Sequence, residues 1–310
     1  MHSAPAATNN LTSTLTWEEW VATAHCLVNR ALDDVGARGL FIKGPLLTAQ
    51  GLREPHQSVD VDVLVEPDRL QHLLDRLADI GWTVAVPPTS AQTLGLHSTT
   101  VRHARWPLEI DVHDRFPGFL ADTRIAFDAL WTLRTSAELA GRPLPCPDPI
   151  AHSTVAALHW LRDPDLNFHQ AKLAYLADAI RPRLGDANRR ALSELVQTTG
   201  SATTLEPFLR ALDIEVARTP QDDSMWRIRT ASTGVKTVPW LVELGRTPLR
   251  RLPGRVAHAL VLTEAEIRHA QPDAAPGAMG LFRARLRRIR RGLHDLPKAV
   301  QIVWRESRRK

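Results

Sequence analysis

The sequence has few or none of several features that mark particular kinds of protein. Its 310 residues include two cysteines, Cys26 and Cys146, too few for a disulfide framework or a thiolate zinc site. No run of about 18 apolar residues occurs, so no membrane span is expected. The first residues, MHSAPAATNN, lack the basic start and apolar run of a signal peptide. These absences favour a protein of the reduced cytoplasm.

Lysine is also scarce, with five residues against 34 arginines, a ratio that we take as typical of a GC-rich bacterial genome. Charge is unevenly distributed along the chain. Residues 283–310 contain 11 Lys or Arg and two acids, which gives 11 − 2 = +9; the whole chain carries +5, so the rest carries 5 − 9 = −4. The body is therefore mildly acidic and the C-terminal tail strongly basic.

Hydrophobic periodicity predicts strands and helices in the first half and helices beyond about residue 149. Thr16 and Glu19 form a capping box before apolar residues at helical spacing, which predicts a helix over about 17–34. Gly44 and Pro45 are typical of a helix start. The predicted strands are GLFIKG, VDVDVLV, WTVAV, TTVRHARW and LEIDVHDRF.

These patterns divide the chain into four expected segments. The length allows for about two domains at roughly 100–200 residues each. The segments are an N-terminal helix over 1–38, a core of strands and helices over 39–146, a helical domain over 147–245 and a basic tail with an amphipathic helix over 246–310.

Two strands carry alternating acidic residues. Side chains alternate between the faces of a strand, so Asp60 and Asp62 project together from VDVDVLV. In LEIDVHDRF, Glu109, Asp111 and His113 share one face in the same way. If the two strands are neighbours, Asp111 completes a cluster of three carboxylates.

Such a cluster is electrostatically unfavourable unless a cation neutralises it. Carboxylate ligands suit Mg²⁺ or Mn²⁺, and two such ions about 4 Å apart activate an attacking oxygen and stabilise a leaving phosphate. The alternative interpretation is an ordinary amphipathic sheet whose aspartates face water. Upstream, the turn after Lys43 exposes backbone N–H groups that favour a phosphate, and Lys43 either adds a positive charge there or is simply solvated.

The order of these motifs resembles the nucleotidyltransferase superfamily. FIKGPLL, VDVDVLVEPDRLQHLLDRLADIGW and LEIDVHDRF resemble, more narrowly, a group of uncharacterised bacterial nucleotidyltransferases, and His159 followed by KLAYLAD is similar to the helix of that group. The resemblance covers about residues 15–180. It implies an α+β fold, with a nucleotidyltransferase-like mixed sheet flanked by helices and a helical C-terminal region.

The resemblance also implies a reaction, an in-line attack on the α-phosphorus of a nucleoside triphosphate such as ATP. Asp60 and Asp62 would hold one Mg²⁺ or Mn²⁺ on the triphosphate and share a second with Asp111, which would also act as general base. Gly44 and Ser58 would contact the phosphates.

Other residues are candidates for contact with the nucleotide. The family usually has an arginine four residues before the first metal aspartate; His56 occupies that position here, and the nearest arginine is Arg53. Structural roles are an alternative for His159 and Asp178. The candidates are Lys43, Arg53, His113, Lys172 and Asp178.

Several acceptors and functions fit these motifs. The expected acceptor is a hydroxyl or phosphate on a small molecule or a peptide natural product. The alternatives are a toxin-type enzyme that modifies tRNA, with RNA held by the basic tail, and a binding protein whose nucleotidyltransferase fold has lost its chemistry.

The tail itself has two interpretations. Phe282, Leu286, Ile289 and Leu293 form an apolar seam among arginines. Either this seam docks on the body, or the helix anchors RNA, an anionic peptide or a membrane surface.

Overall fold

The computed structural model describes residues 15–308 except 86–97, 164–166, 219, 236, 261, 265, 268–270 and 272–273. Among these described residues, five strands and three helices form the first part of the chain. The predicted strand WTVAV is shorter than expected, and its last residue, Val86, lies outside the described residues. In order, the elements are α1 (Trp17–Asp34), β1 (Gly39–Ile42), α2 (Gly44–Ala49), β2 (Asp60–Val65), α3 (Leu70–Asp79), β3 (Thr83–Val84), β4 (Thr99–Arg102) and β5 (Glu109–His113).

A helix and a hairpin that the sequence patterns did not predict come next, and the helices predicted beyond residue 149 follow them. These elements are α4 (Thr123–Thr132), β6 (Arg134–Leu139), β7 (Arg142–Pro147), α5 (Pro149–Leu161), α6 (Asn167–Ile180), α7 (Asp186–Thr198), α8 (Glu206–Ala211), α9 (Ser224–Ala231), α10 (Val238–Arg246), α11 (Leu252–Leu260) and α12 (Gly277–Arg308).

The main sheet has the strand order β1-β2-β5-β4-β3. β2 and β5 run parallel, whereas β1 with β2, β5 with β4 and β4 with β3 are antiparallel. The hairpin of β6 and β7 forms a separate two-stranded sheet. The predicted α+β fold, with a mixed sheet flanked by helices and a helical C-terminal region, is confirmed.

Both faces of the main sheet are covered, because alternate residues enter two different cores. Phe41, Val61 and Val63 pack in the core that contains residues of α1 and α3. Ile42 and Leu64 pack in a second core with residues of α4, α5 and α6. The face that carries the predicted aspartates therefore looks toward a layer of helices and not toward open water.

Local signals set two helix starts. At α1, the Thr16 hydroxyl accepts a hydrogen bond from the Glu19 N–H, and the Glu19 carboxylate accepts one from the Thr16 N–H at 2.7 Å, so the predicted capping box is confirmed. Helix α2 begins at Gly44 with Lys43 as its N-cap, one residue earlier than the pattern predicts.

The C-terminal helix α12 does pack on the body, but not by the predicted face. Ala284 and Ala299 are buried in its contact with the body, whereas Phe282, Leu286 and Leu293 are exposed. The prediction that this apolar seam docks on the body is wrong, because small residues on another face allow a closer approach. Among the described residues, no helix is both long enough and apolar enough to cross a membrane.

Candidate active site

The register of β2 and β5 brings the predicted acids together. In this parallel pair Asp62 lies opposite Asp111, and Asp60 lies opposite Glu109. Residues directly opposite each other project from the same face of a sheet. The condition on which the carboxylate cluster depended, that the two strands are neighbours, is therefore met.

Three side chains come within the range of a single ion. Asp62, Asp111 and His113 each offer a ligand atom, and these atoms all lie within 4.8 Å of one another. Asp62 is 4% exposed and His113 is 1% exposed. The alternative of an ordinary water-facing strand is therefore wrong for Asp62, since the carboxylate is enclosed.

Asp62 is held by two hydrogen-bond donors. The Lys43 ammonium lies 2.5 Å from Asp62 Oδ1, and His113 Nε2 lies 2.8 Å from the same oxygen. Because an ionised carboxylate only accepts hydrogen bonds, Nε2 of His113 donates. Burial alone would raise the pKa of Asp62, but the Lys43 charge and the His113 hydrogen bond outweigh it and hold that pKa well below its ordinary value.

The Lys43 side chain makes an ion pair that the sequence patterns did not predict. The sequence allowed it to be solvated or to meet a phosphate, but its side chain is largely buried in an ion pair with Asp62. An ammonium and a divalent cation are both attracted to an enclosed carboxylate. The group that Lys43 neutralises is thus one that suits a metal ion.

Asp60 begins β2 on the same face as Asp62. Burial and then the neighbouring Asp62 raise the pKa of Asp60 to about 6, although the Lys43 charge opposes this shift. A carboxyl group whose ionisation is resisted by a nearby carboxylate gains most from a bound cation. The carboxylates of Asp62 and Asp111, with His113, suit a divalent ion such as Mg²⁺, and Asp60 is not among the three groups whose ligand atoms lie within 4.8 Å of one another.

Asp111 has a partner that the sequence reasoning missed. Thr100 lies opposite Asp111 in the β4–β5 register, and its hydroxyl donates to Asp111 Oδ1 at 2.5 Å. Once β4 is known to pair with β5, side-chain alternation along the strand TTVR places Thr100 on the same face of the sheet as Asp111. The bond fixes one carboxylate oxygen and the orientation of the side chain.

The turn before α2 is held from the helical layer. Lys43 has φ +60°, and its backbone N–H donates to Nε2 of His152 in α5 at 2.8 Å, while the other ring nitrogen of His152 lies 2.8 Å from the Gln50 amide oxygen. Burial lowers the pKa of His152 to about 3, so the ring stays neutral and Nε2 can accept. His152 was not among the predicted site residues.

Gly44 and Ser58, predicted to act together, do lie together. Gly44 has φ +49°, and a Cβ on it would lie 3.2 Å from Ser58 Oγ and 3.9 Å from Nε2 of the buried His25. The turn is thus closed on one side by the segment that leads into β2.

Gly44→Ala is expected to lower the free energy of unfolding by about 1–3 kcal/mol, because alanine is strained at positive φ and its Cβ would crowd Ser58. Thermal unfolding measures this loss. Gly36→Ala is the matched control, since Gly36 has φ +60° and nothing lies within 4 Å of its added Cβ. Equal losses in both variants would show that crowding against Ser58 contributes nothing.

Arg53 links the carboxylates to a neighbouring pocket. Its guanidinium donates to the Gly44 carbonyl at 3.0 Å. Burial lowers the pKa of Arg53, and the attraction of Asp60 and then Asp62 opposes that shift, as expected for a guanidinium beside these carboxylates.

The pocket lies between the loop at residues 53–56 and helix α6, with a volume of about 290 Å³. The ammonium of Lys172 sits 5.2 Å from the centre of the Phe168 ring. Two predicted residues, Arg53 and Lys172, thus meet in one pocket, together with aromatic side chains that the sequence reasoning did not select. The lining includes Arg53, His56, Trp160, Phe168, Lys172 and Tyr175.

Two other candidates lie elsewhere. Asp178 is exposed on α6 and does not line this pocket. His159 Nδ1 lies 2.6 Å from the Arg162 guanidinium and accepts its hydrogen bond. Burial and then the Arg162 charge hold the pKa of His159 well below its ordinary value. A neutral, hydrogen-bonded His159 agrees with the structural alternative.

The protein combines a mixed sheet with a buried acidic cluster that suits a divalent cation. The family described as uncharacterised nucleotidyltransferase matches residues 20–212. The match spans more than half of the chain, and the protein belongs to this family of nucleotidyltransferases. Such enzymes transfer a nucleoside monophosphate from a nucleoside triphosphate and use divalent metal ions.

Solved structures show distant similarity. The antibiotic-resistance factor ANT(2'')-Ia is 17% identical, with a TM-score of 0.35 over 62% of this chain and 90% of that one. The lincosamide antibiotic adenylyltransferase LnuA, solved with lincomycin, is 12% identical, with a TM-score of 0.32 over 56% and 96%. An antigenic nucleotidyltransferase-like protein from Paracoccidioides brasiliensis is 14% identical, with a TM-score of 0.38 over 68% and 98%. No curated protein sequence matches the chain.

Proposed function

We propose that this protein transfers a nucleoside monophosphate from a nucleoside triphosphate to a hydroxyl or phosphate on a small molecule or a peptide natural product. The observation that carries the proposal is the parallel register that sets Asp62 opposite Asp111 in a buried cluster. Family membership supplies the reaction class.

Asp60, Asp62 and Asp111 would hold Mg²⁺ or Mn²⁺, which neutralises the triphosphate and lowers the pKa of the acceptor hydroxyl. Lys43 and His113 both contact Oδ1 of Asp62, so the other carboxylate oxygen would serve as the metal ligand. The Lys43 ammonium would then add a positive charge close to the triphosphate. His113 keeps its hydrogen bond to Asp62 and so orients the carboxylate.

Asp111 would take the proton of the acceptor hydroxyl. Thr100 occupies Asp111 Oδ1, at 2.5 Å, which leaves the second carboxylate oxygen to act as base. Phosphoryl transfer depends mainly on positioning and charge neutralisation. A carboxylate fixed within the metal site would meet both needs, and the acceptor hydroxyl itself would be the nucleophile.

The pocket beside Arg53 would receive the nucleotide. Arg53 and Lys172 provide positive charge for phosphate oxygens, while Phe168 and Tyr175 provide exposed aromatic surface against which a base can stack. Its volume of about 290 Å³ has room for a nucleobase. The acceptor would then approach from the side of Asp111.

Lys172→Met is expected to weaken nucleoside triphosphate binding by about 10- to 150-fold, since one charge-assisted contact accounts for roughly 1.5–3 kcal/mol. Isothermal titration with Mg²⁺ measures the change. Asp178 lies on the same helix but outside the pocket, so the Asp178→Asn variant should bind nucleotide like the unmodified protein. If Asp178→Asn weakens binding and Lys172→Met does not, the nucleotide lies elsewhere on α6.

The reaction is tested by incubating the protein with each α-³²P-labelled nucleoside triphosphate, Mg²⁺ and separate pools of small metabolites, peptides and RNA. Transfer of label to a small molecule or peptide, with release of pyrophosphate, is expected. Label on RNA would favour the tRNA-modifying alternative. Absence of label on every pool, with metal-dependent nucleotide binding also absent, would favour a fold that has lost its chemistry.

A further inference from the structure

The C-terminal helix α12 has one face against the body. Ala284 and Ala299 are fully buried there, and Ala299 packs in a small core with Val238 and Val242 of α10. Arg285 donates to the Leu262 carbonyl at 2.9 Å. The helix is therefore anchored along one side over much of its length.

A second face of α12 is apolar and exposed. Its large side chains follow one another at intervals of three or four residues, with the partly buried Ile289 continuing the line, and each is between 37% and 63% exposed. Side chains at this spacing form a continuous stripe along a helix. We call this stripe the outer seam; it consists of Met279, Phe282, Leu286, Leu293, Leu296, Val300 and Trp304.

The charges beside the outer seam have one sign. Every exposed charged side chain on α12 is a cation, because Glu306 is buried against the body and Asp295 is only partly exposed. The exposed cations are Arg283, Arg287, Arg290, Arg291, Lys298, Arg305 and Arg308.

This combination selects the kind of partner. A second copy of the chain would set arginines against arginines across the seam, which is unfavourable. An anionic phospholipid surface offers acyl chains to the seam and phosphate groups to the arginines. The helix has 32 residues, about 48 Å at a rise of 1.5 Å per residue, and lies along such a surface without crossing it.

We propose that the outer seam binds the protein to membranes that contain anionic lipids. The acidic remainder of the chain, at 5 − 9 = −4, is repelled by the same surface, so contact is confined to α12. The attraction combines apolar insertion with charge, and high salt weakens it.

Co-sedimentation of the full chain with phosphatidylcholine vesicles, with and without phosphatidylglycerol, tests the proposal. Binding to the phosphatidylglycerol vesicles is expected, and Leu286→Ser with Leu293→Ser should reduce the partition coefficient at least about tenfold through the lost apolar insertion. Both leucines are exposed, so thermal unfolding should not change. Ile125→Ser, at an exposed apolar site on α4, is the matched control and should bind normally.

The charge component is tested separately. The double variant Arg283→Gln, Arg290→Gln should bind phosphatidylglycerol vesicles more weakly. The binding that remains should be less sensitive to salt. Failure of the unmodified protein to sediment with vesicles, or equal sedimentation of the leucine variant, would overturn the proposal. Light scattering that shows a dimer dissociated by the leucine substitutions would also overturn it and assign the seam to a second copy.

Discussion

Asp62→Asn should abolish Mg²⁺-dependent binding of nucleoside triphosphates, with a loss in affinity of at least about 100-fold, since even the partners of metal ligands contribute 10–100-fold. Asparagine has nearly the same shape but no charge to offer a hard cation. Isothermal titration of the four nucleoside triphosphates, with Mg²⁺ and with a chelator, measures the loss.

The same substitution has a cost in stability that must be separated from the loss of metal. In the unmodified protein the largely buried Lys43 ammonium lies 2.5 Å from Asp62 Oδ1. The substitution removes the anion of this pair, and removing one partner of a buried pair costs about 3–5 kcal/mol. The double variant Lys43→Met, Asp62→Asn should recover part of this stability and still fail to bind Mg²⁺ with nucleotide. If the double variant binds nucleotide like the unmodified protein, Asp62 is not a metal ligand.

Asp111→Asn should have the second large effect, of a different kind. Nucleotide binding should stay within a few-fold, because in the proposed site Asp60 and Asp62 would still hold the ion on the triphosphate. Transfer should slow by about 10²–10⁴-fold with the general base removed. Single-turnover release of pyrophosphate in the presence of an acceptor measures this. Unchanged turnover in Asp111→Asn would show that another group takes the proton.

Thr100 provides a finer test of how Asp111 is positioned. Thr100→Val removes the hydroxyl that donates to Asp111 Oδ1 and should lower turnover by about tenfold. The Asp111→Asn variant should be slower than Thr100→Val. The adjacent Thr99 lies opposite Val112 and on the other face, so Thr99→Val is the matched control. Equal effects of both threonine substitutions would indicate a general loss of strand packing.

The local features of this protein follow from its sequence. The capping box at Thr16, the helix start near Gly44 and the alternation around Asp60 and Asp62 depend on neighbours along the chain, and the structure has all three. The predicted cluster required Asp111 on an adjacent strand, and strand alternation correctly placed it on the same face. These predictions succeed because helix caps and strand faces are set within a few residues.

Contacts between distant segments were not available from these patterns. The sequence could not show that His152 of α5 accepts from the Lys43 N–H, or that Thr100 donates to Asp111, because each pair depends on how elements pack. The docking face of α12 was predicted wrongly for the same reason. Apolar spacing identifies a hydrophobic stripe, but the small residues Ala284 and Ala299 determine which face approaches the body.

The sequence by itself therefore determined the elements, the acidic residues that share strand faces and the family to which they belong. Only the tertiary structure decided that the Asp62 carboxylate is enclosed, that Lys43 neutralises it and that Arg53 and Lys172 line one pocket. The physical reason is separation along the sequence. Helix caps and strand periodicity depend on residues that are close in the chain, whereas burial and ion pairing depend on segments that are far apart in sequence and meet only in the folded protein.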